Sequence, residues 1–539
     1  MTAVPRDTLP GLLAEQVARH PNAPAYYYEG TSASYAELEA MSRRAATGLA
    51  RLGVAQGDRV ALWLPNTPAY LALWLGCARL GAIAVAVNTR FRSAEVGDIV
   101  GRSGAKVLAL WPGFRAIDFL GVLAEIEVEA LAGLETLILY DEDGGEHALP
   151  APVAHCRQLD FRALMAQGED QTNRAMPETP VNIFTTSGTT SKPKFVLHGH
   201  GPVARQARLV ARYFGYDQGG AMLLFLPLCG VFGFNMATGS LAAGAPIVLM
   251  SAFDAETAFR LIQRHDVRHM NAPDDAILAL MNTSPHPVAL PSVGYSGFAN
   301  FNASLADIAE RADARGLKLV GLFGMSEVQA LVARQDPAAP LARRRNGGGH
   351  LISPDFKVRV RDPESGRLLP HGQQGEIEIT GPSLMLGYYE NEKATAEAFT
   401  EDGYLRSGDL GYTTAADHFV FVARMGDVLR LGGFLVSPAE IESHLQAHPA
   451  VHAAQVVGVS TEKGIRAVGF VVPTPGQGFD EAALIGHCLA GLAKFKAPVR
   501  IIAVDDFPTT KSANGTKIQR GKLRQMGEAA LRESQPLAS

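Results

Sequence analysis

The residues best suited to chemistry form a hydroxyl-rich loop in the first half of the chain. Residues 184–200 read FTTSGTTSKPKFVLHGH, directly after an apolar, strand-like run at 181–184. Its hydroxyls surround one glycine and two lysines follow: Thr185, Thr186, Ser187, Gly188, Thr189, Thr190, Lys192 and Lys194. Backbone N–H groups, hydroxyls and ammonium groups together can bind a polyphosphate. The Gly-x-x-x-x-Gly-Lys-[Ser/Thr] spacing of a P-loop is absent. Because solvated turns share this composition, the loop alone leaves both interpretations open.

A second segment, at 321–327, reads GLFGMSE and follows an apolar run at 318–320. The ring of Phe323 can stack on a flat ligand, and Gly324 lets a ligand approach the backbone. The carboxylate of Glu327 can hold a hard cation such as Mg²⁺. A β-turn with a surface glutamate is the alternative interpretation.

Three later segments place charged residues beside glycines. Residues 403–411 read GYLRSGDLG, in which the two oxygens of Asp409 suit the two hydroxyls of a ribose, although hairpin-turn aspartates are common. Arg424 precedes Gly426 and the Gly-Gly pair at 432–433, where the backbone can pass close to a ligand. Residues 514–520 read NGTKIQR and contain Lys517, and a lone lysine is ordinarily a solvated surface residue.

In this order, the five segments resemble the motifs of the adenylate-forming superfamily, which comprises acyl-CoA synthetases, luciferases and peptide-synthetase adenylation domains. Two further stretches are also similar to the family: GDRVA at 57–61 and GPSLMLGYY at 381–389. We assign a scaffold role to the residues of the second. The resemblance therefore extends over essentially the whole chain.

The resemblance implies a role for each matching residue. The implied catalytic residues are Lys517, Glu327 and Thr189, with Glu327 also the Mg²⁺ ligand. The implied ATP/AMP-binding residues are Thr186, Ser187, Gly188, Thr190, Lys194, Ala299, Phe323, Gly324, Ser326, Asp409 and Arg424. The implied acyl pocket consists of Phe232, Gly233, Phe234, Met236, Gly297 and Phe298. Gly432 and Gly433 would contact the pantetheine arm of coenzyme A, and Gly426 would be the hinge.

The function implied by the resemblance is ATP-dependent activation of a carboxylic acid to an acyl-adenylate, followed by transfer to coenzyme A with release of AMP. The cofactors and substrates are then ATP, Mg²⁺, coenzyme A and an aliphatic or aryl acid of modest size. Amino acids are disfavoured because the aspartate that binds the α-amino group in peptide-synthetase domains is missing near Gly233. Alternatives are a carrier protein or other acceptor, a luciferase-like oxidase and a catalytically silent nucleotide-binding homologue.

Four positions depart from the family pattern. Ser191 and Phe195 stand where glycines are usual in and after the hydroxyl loop. Gly426 replaces the aspartate or lysine that is usual at the hinge, and Gly230 replaces a histidine of the acyl region. Glycine has the widest backbone freedom, so rotation at position 426 remains feasible.

The bulk composition predicts more than one domain. At 539 residues, with 47% apolar and 19% charged residues, the chain exceeds what one core usually supports. We predict an α/β fold: a large N-terminal domain (1–424) of layered α/β subdomains with a β-rich part at 343–424, and a small mobile α+β C-terminal domain (425–539). The net charge of −5 gives no reason to expect nucleic acid. Four scattered cysteines, expected to be buried thiols, and the absence of an apolar N-terminal segment favour a cytoplasmic protein. A homodimer is compatible with the resemblance.

Alternating helix and strand patterns must position these segments. Ser34 and Glu37 form a capping box that begins a helix. The apolar stretch 69–87 is expected to be a buried helix, a turn at Gly81 and a buried strand rather than a membrane span. Ser437 is expected to cap a helix. Residues 343–349 (RRRNGGG) are expected to form an exposed turn, and the tail after Met526 a frayed helix end.

Overall fold

A computed structural model describes residues 4–533, apart from 142–146, 171, 187–192, 300–304, 306, 427, 432–433, 462–463, 493 and 513–514. The strands are β1 (Pro24–Tyr28), β2 (Thr31–Ser34), β3 (Arg59–Trp63), β4 (Ile83–Ala86), β5 (Val107–Leu110), β6 (Thr136–Leu139), β7 (Arg157–Asp160), β8 (Pro180–Thr185), β9 (Phe195–Gly199), β10 (Ala221–Leu224), β11 (Ile247–Leu249), β12 (Val267–Pro273), β13 (Ser296–Ala299), β14 (Leu319–Phe323), β15 (Ala333–Arg334), β16 (Gly348–Leu351), β17 (Lys357–Arg361), β18 (Gly375–Thr380), β19 (Gly387–Tyr388), β20 (Leu405–Ala415), β21 (His418–Arg424), β22 (Leu429–Leu431), β23 (Phe434–Val436), β24 (Val451–Thr461), β25 (Gly464–Pro473), β26 (Arg500–Ala503), β27 (Thr509–Ser512) and β28 (Gly515–Ile518).

The α-helices alternate with these strands. They are α1 (Leu9–Arg19), α2 (Tyr35–Arg51), α3 (Pro68–Leu80), α4 (Ser93–Ser103), α5 (Phe119–Ala124), α6 (Phe161–Met165), α7 (His200–Tyr213), α8 (Val231–Ala243), α9 (Ala255–Arg264), α10 (Asp274–Thr283), α11 (Ile308–Ala314), α12 (Leu341–Arg344), α13 (Glu392–Ala398), α14 (Pro438–Gln446), α15 (Glu481–Gly491) and α16 (Arg520–Glu533). The predicted α/β class is confirmed.

Two large sheets organise the region up to β21. A thirteen-stranded sheet has the order β17-β18-β20-β21-β16-β15-β14-β13-β12-β10-β11-β1-β2. Along this spatial order, the strands from β14 to β1 pair in parallel. The strands from β17 to β14 pair antiparallel. An eight-stranded sheet has the order β19-β9-β8-β4-β3-β5-β6-β7, parallel from β8 to β7. The predicted antiparallel part beyond residue 343 therefore extends the sheet whose other half is parallel.

The core lies between the two sheets. Phe234 of α8 packs edge-on against Phe184 of β8 (ring centroids 4.9 Å apart) and Trp74 of α3 (5.0 Å). Trp74 donates its indole N–H to Asn182 of β8 at 3.1 Å. Helix α3 is buried from Ala69 to Leu80, which explains why it is apolar on every face apart from Arg79, whose charge pairs with Glu39 of α2.

The stretch that resembles a membrane span is this buried helix. The α3 helix ends at Gly81, whose φ of 71° is left-handed, and β4 follows. The predicted helix, glycine turn and strand are confirmed, as is the capping box of Ser34 and Glu37 that begins α2. In the described part of the chain, none of the helices combines the length and apolar character needed to cross a membrane.

The C-terminal part has its own sheet. Strands β24 and β25 pair antiparallel and β26 joins in parallel, with the hairpins β22–β23 and β27–β28 beside them in sequence. Helices α14 and α15 contribute Ile441, Leu445, Leu484 and Cys488 to one apolar cluster. Leu523 of α16 belongs to another, so this part has a core of its own.

Three local predictions are wrong: the exposed turn at 343–349, the side-chain cap of Ser437 and the burial of all four cysteines. Residues 343–349 are not an exposed turn: Arg344 is buried and donates to the carbonyls of Leu319 and Ala339 while pairing with Asp313. Residues 348–349 lie in β16, and their backbone is so close to β21 and β15 that a side chain at Gly348 or Gly349 would overlap backbone atoms of those strands. The α16 helix continues past Met526 to Glu533, and residues 534–539 lie outside the described part, so fraying of the tail stays a prediction. Ser437 makes no side-chain capping bond, although α14 begins as expected. Of the four free cysteines, Cys229 is only partly buried.

Candidate active site

The parallel strands bring their carboxyl ends to one edge of the larger sheet. There β13 ends at Ala299 and β14 at Phe323, directly before Gly324. In open α/β sheets, ligands bind in the crevice beyond the carboxyl ends of parallel strands. The hydroxyl loop leaves the other sheet after β8 and returns into β9, and the backbone N–H of Thr186 bonds to the Lys194 carbonyl at 3.0 Å. Ser187, Gly188, Thr189, Thr190 and Ser191 lie outside the described residues.

Beside that loop, Lys194, Tyr388 and Glu327 form a connected group. The Lys194 ammonium lies 4.7 Å from the centre of the Tyr388 ring. The Tyr388 hydroxyl donates to Glu327 Oε1 at 2.9 Å, and Glu327 is buried. Burial, together with the adjacent carboxylate, raises the pKa of Tyr388 far above its ordinary value, so the hydroxyl stays protonated and remains a donor. From its motif, Tyr388 is assigned only a scaffold role, because nothing in a Gly-Tyr-Tyr run indicates a partner distant in the chain.

The backbone around Glu327 is also fixed. Met385 donates its N–H to the Glu327 carbonyl at 2.8 Å, and His198 bonds through Nε2 to the Ser326 carbonyl at 2.7 Å. Burial lowers the pKa of His198 to about 4, even though this hydrogen bond favours the protonated form. The imidazole is therefore neutral and acts as a fixed Nε2–H donor that positions the segment carrying Ser326.

Replacing Tyr388 with phenylalanine tests this arrangement. Partners that orient a metal ligand typically contribute about 10–100-fold to metal affinity. We therefore expect Tyr388→Phe to raise by about that factor the Mg²⁺ concentration needed for half-maximal pyrophosphate release. Tyr389→Phe is the matched control, since its hydroxyl neighbours Glu390 rather than Glu327. Equal Mg²⁺ requirements in the two variants would contradict the positioning role.

Asp409 and Arg424 face each other across an antiparallel pair. They are register partners in β20 and β21, and Arg424 Nε lies 3.1 Å from Asp409 Oδ1. The contact is not aligned as a hydrogen bond, so Oδ1 is a buried oxygen without one. Burial raises the pKa of Asp409 to about 7, with Glu327 and Glu376 adding to the shift and Arg424 opposing it. The alternative of a hairpin-turn aspartate is wrong, because Asp409 lies inside a long strand.

The sequence-predicted adenine contacts lie close to this pair but are tightly packed. Phe323 is buried against Phe419 and Phe421, with ring centroids 5.0 and 5.9 Å away. Gly324 is exposed, and a Cβ there would lie 2.5 Å from Ala330 Cα. Glycine is thus required at position 324 by the adjoining turn, while stacking of Phe323 on adenine stays a prediction.

Phe195, one of the departures from the family pattern, packs under an arginine. The Arg102 guanidinium lies 4.1 Å from the Phe195 ring centre and donates to the Pro193 carbonyl at 2.8 Å. Asp98 holds Arg102 through two hydrogen bonds. Helix α4 therefore supports the end of the hydroxyl loop through a contact that a glycine at position 195 could not make.

The six residues assigned to the acyl pocket are all buried. Phe234 and Met236 have no exposed surface, and Phe234 fills the core between the sheets. A Cβ at Gly233 would lie 2.5 Å from the carbonyl oxygens of Leu226 and Pro227, and one at Gly297 would lie 2.4 Å from an oxygen of Asn271. Phe232 and Phe298 are 9% and 3% exposed, so only Phe232 retains appreciable surface. Their contact with an acid stays a prediction.

Four further predicted site residues lie beyond residue 425 of the chain. Gly426 lies in an exposed turn after β21, with open space around its Cα. Gly432 and Gly433, between β22 and β23, lie outside the described residues. Lys517 lies in β28, paired with Thr510, and its side chain is outside the described part. The structure therefore brings together Lys194, Ser326, Glu327, Asp409 and Arg424, and leaves these others as predictions.

Comparison with known proteins gives matches along most of the chain. A family described as AMP-binding enzyme matches residues 13–389, and the AMP-binding enzyme C-terminal domain matches 440–514. Sulfoacetate–CoA ligase of Cupriavidus necator is 31% identical, covering 96% of this chain and 97% of that protein. Indoleacetate–CoA ligase of Aromatoleum aromaticum is 29% identical, covering 95% and 98%. The crystal structure of ATP-bound MatB from Rhodopseudomonas palustris superposes with a TM-score of 0.83 at 26% identity, covering 97% and 99%.

Proposed function

Since the chain belongs to the AMP-binding enzyme family, we propose that it is an AMP-forming carboxylic acid–CoA ligase. It activates an acid with ATP to an acyl-adenylate and transfers the acyl group to coenzyme A. Relatives named for CoA ligation match nearly the full length of the chain, which favours coenzyme A as the acceptor. Because those relatives are named for different acids, the family alone leaves the acid open.

The observation that carries the proposal is the group of charges beyond the carboxyl ends of β13 and β14. Asp409 is a buried carboxyl with one oxygen free of hydrogen bonds, suited to a ribose hydroxyl. Arg424 is half exposed beside it, and Lys194 is held at the end of the hydroxyl loop. Two cations and a buried acceptor at one site are what an adenosine phosphate needs.

Chemically, the first half-reaction brings two anions together. The acid carboxylate attacks the α-phosphorus of ATP and pyrophosphate leaves, so negative charge must be neutralised as it shifts. Arg424, Lys194, the hydroxyl loop and Lys517 are the proposed donors of this chain. In the second half-reaction the thiol of coenzyme A attacks the acyl carbon and AMP leaves.

A magnesium ion fits this donor set through Glu327. Mg²⁺ is commonly bound by one or two carboxylates together with substrate phosphates, so a single buried glutamate oriented by Tyr388 is sufficient. Groups of three or more metal-ligating side chains are absent among the described residues, which fits a metal shared with the nucleotide. When bound, the ion would offset phosphate charge.

The experiment is pyrophosphate release from ATP with a panel of carboxylic acids, run with and without coenzyme A. We expect ATP-dependent release with some acids and a thioester only when coenzyme A is present. Adenylate formation without thioester would indicate another acceptor, and light emission with oxygen a luciferase-like oxidase. Lack of release with every acid would indicate a silent nucleotide-binding protein and contradict the proposal.

The organisation proposed with this function divides the chain at 424/425. The match to the two family regions leaves 390–439 between them, where the described turn at Gly426 lies. Rotation about this turn would let one site serve both half-reactions. Cytoplasmic location and a homodimer also stay predictions.

A further inference from the structure

Three buried amide side chains beside the candidate site lack hydrogen-bond partners. Both polar atoms of Asn235 and both of Gln329 are unpaired among the described residues, as is Oε1 of Gln206. All three residues have 0% exposure. Buried polar side-chain atoms in native proteins are nearly always hydrogen-bonded, so five unpaired atoms on three residues require an explanation.

Gln329 stands in a strained turn next to the reacting centre. Gln329, Ala330 and Leu331 have φ values of 66°, 51° and 43°, a left-handed run that non-glycine residues rarely adopt. Strain of this kind persists where surrounding contacts impose it, and it concentrates at functional sites. The turn begins two residues after Glu327, so its side chains are placed by the same segment as the proposed metal ligand.

Gln206 is one of the contacts that hold this turn. Its Nε2 donates to the carbonyls of Ala330 (3.0 Å) and Leu331 (3.4 Å), which leaves only its Oε1 unpaired. The turn also packs against Gly324, where a Cβ would lie 2.5 Å from Ala330 Cα. The unpaired Oε1 of Gln206 therefore belongs to a side chain that is bonded to the turn carrying Gln329, and this turn packs against Gly324 of the candidate site.

The packing of α7 against α8 places Asn235 at the same level along the helix pair as Gln206. Each helix leads into one of two adjacent parallel strands, β10 and β11, so the helices run in the same direction. A Cβ at Gly239 would lie 3.0 Å from Val210, which marks where they touch. Asn235 lies one helical turn before Gly239 on α8, and Gln206 lies one turn before Val210 on α7, so the two share the contacting faces of these helices.

We propose that Asn235, Gln206 and Gln329 form a polar subsite that binds an uncharged hydrogen-bonding group of the acid substrate, such as a ketone, hydroxyl or carboxamide. Amides can donate and accept, which matches these groups. A second carboxylate would need a buried cation as partner, and the three amides supply none. This inference rests on the proposed ligase function and replaces the wholly apolar pocket that Phe232, Phe234 and Met236 alone would imply.

The test compares oxo or hydroxy acids with methyl-branched acids of the same shape, measuring kcat/KM for ATP-dependent pyrophosphate release. We expect the polar member of the best pair to be preferred by about 100-fold, because the isostere leaves buried amides unpaired. Asn235→Leu and Gln329→Met keep the side-chain size and should abolish or reverse that preference.

A stability measurement separates a substrate subsite from a structural role. Replacing an unpaired buried amide with an apolar group of similar shape removes an uncompensated polar group. The ligand-free Asn235→Leu variant should therefore unfold at a higher temperature than the wild type, while its acid preference is lost. Gln455→Met is the control, since Gln455 is a buried glutamine with an unpaired Oε1 in β24 of the C-terminal part; it should leave acid preference unchanged.

The outcomes are distinguishable. If polar and methyl-branched acids release pyrophosphate with equal efficiency, and Asn235→Leu does not change this, the proposed subsite is overturned. The ligase function would then still stand. Destabilisation of Asn235→Leu with unchanged preference would show that the amides bond within the protein, and would also overturn it. No release with any acid would overturn the ligase function and the subsite with it.

Discussion

Replacing Lys517 with alanine should slow acyl-adenylate formation by roughly 10²–10³-fold while leaving thioester formation from a supplied acyl-adenylate nearly unchanged. The expectation follows from the charge problem of the first half-reaction. There the carboxylate and the triphosphate repel each other, and a preorganised cation near the α-phosphate offsets the developing charge. In the second half-reaction the leaving AMP gains a negative charge, but rotation at Gly426 would by then have withdrawn Lys517 from the phosphate, so its loss should matter little there.

The measurement separates the half-reactions. Pyrophosphate exchange into ATP reports adenylation, and release of AMP from the isolated acyl-adenylate with coenzyme A reports thioester formation. Lys511→Ala is the matched control: Lys511 pairs with Thr516 in the same β27–β28 hairpin, next to the Thr510–Lys517 pair. It removes the same charge from the same hairpin and should leave both rates close to wild type.

Equal losses in both half-reactions would contradict the role given to Lys517, because a general defect would then be the simpler account. Loss in both variants would instead implicate the hairpin. The choice of Lys517 follows from the family resemblance, and the expected loss of adenylation rate follows from elementary electrostatics.

The elements of the fold follow closely from local sequence patterns. The strand-like apolar run at 181–184 lies within β8, and the buried strand expected after Gly81 is β4, because parallel strands are buried on both faces. The capping box located the start of α2, because its hydrogen bonds join Ser34 to Glu37 only three residues away. Such signals need no knowledge of distant partners.

The failures involve partners distant in the chain. The Arg-rich run at 343–349 has the composition of a surface turn, but Arg344 is satisfied by carbonyls of β14 and by Asp313. The glycines near Asp409 are also typical of a turn. In the structure Asp409 lies in the long strand β20, which forms by pairing with β18 and β21. Burial of a charged or glycine-rich segment depends on tertiary contacts that composition does not encode.

The candidate site shows the same division. The motif residues Glu327, Asp409 and Arg424 could be found from sequence because their spacing recurs in a family. Tyr388 and Arg102 could not, since each acts through a contact with a residue far along the chain. The amides of Asn235 and Gln329 could not either, because their burial without partners is visible only in the folded structure. Their signal is structural: a buried donor, a stacked guanidinium or an unpaired polar atom.

Replacing Asp409 with asparagine should weaken AMP binding by about 100-fold at pH 8 and, at the same pH, stabilise the ligand-free protein. A carboxylate that accepts two ribose hydroxyls makes hydrogen bonds to a charged group, each contributing about 1.5–3 kcal/mol. Asparagine has one acceptor oxygen and no charge, so much of that contribution is lost.

The stability change follows from the raised pKa of Asp409, about 7 in the folded protein. An unfolded aspartate has a pKa near 3.9, so between about pH 4 and 7 the folded state binds more protons. Stability contributed by this group is therefore fully present below the unfolded pKa and is lost as pH rises through 7. Above pH 7 the penalty is on the order of a few kcal/mol, and a neutral asparagine avoids it.

Binding and unfolding at two pH values test both parts. Wild-type affinity for AMP should rise more steeply from pH 6 to pH 8 than that of Asp409→Asn, because Asp409 ionises in the wild type in addition to the AMP phosphate, whose second pKa is about 6. Asp402→Asn is the control with the opposite sign: Arg359 donates two hydrogen bonds to Asp402 and lowers its pKa, so any stability that this exposed pair adds is present at neutral pH and lost on acidification. It should leave AMP affinity unchanged. An Asp409→Asn variant that binds AMP like the wild type at pH 8 would show that the buried carboxylate makes no ribose contact, and its free oxygen would then need another partner.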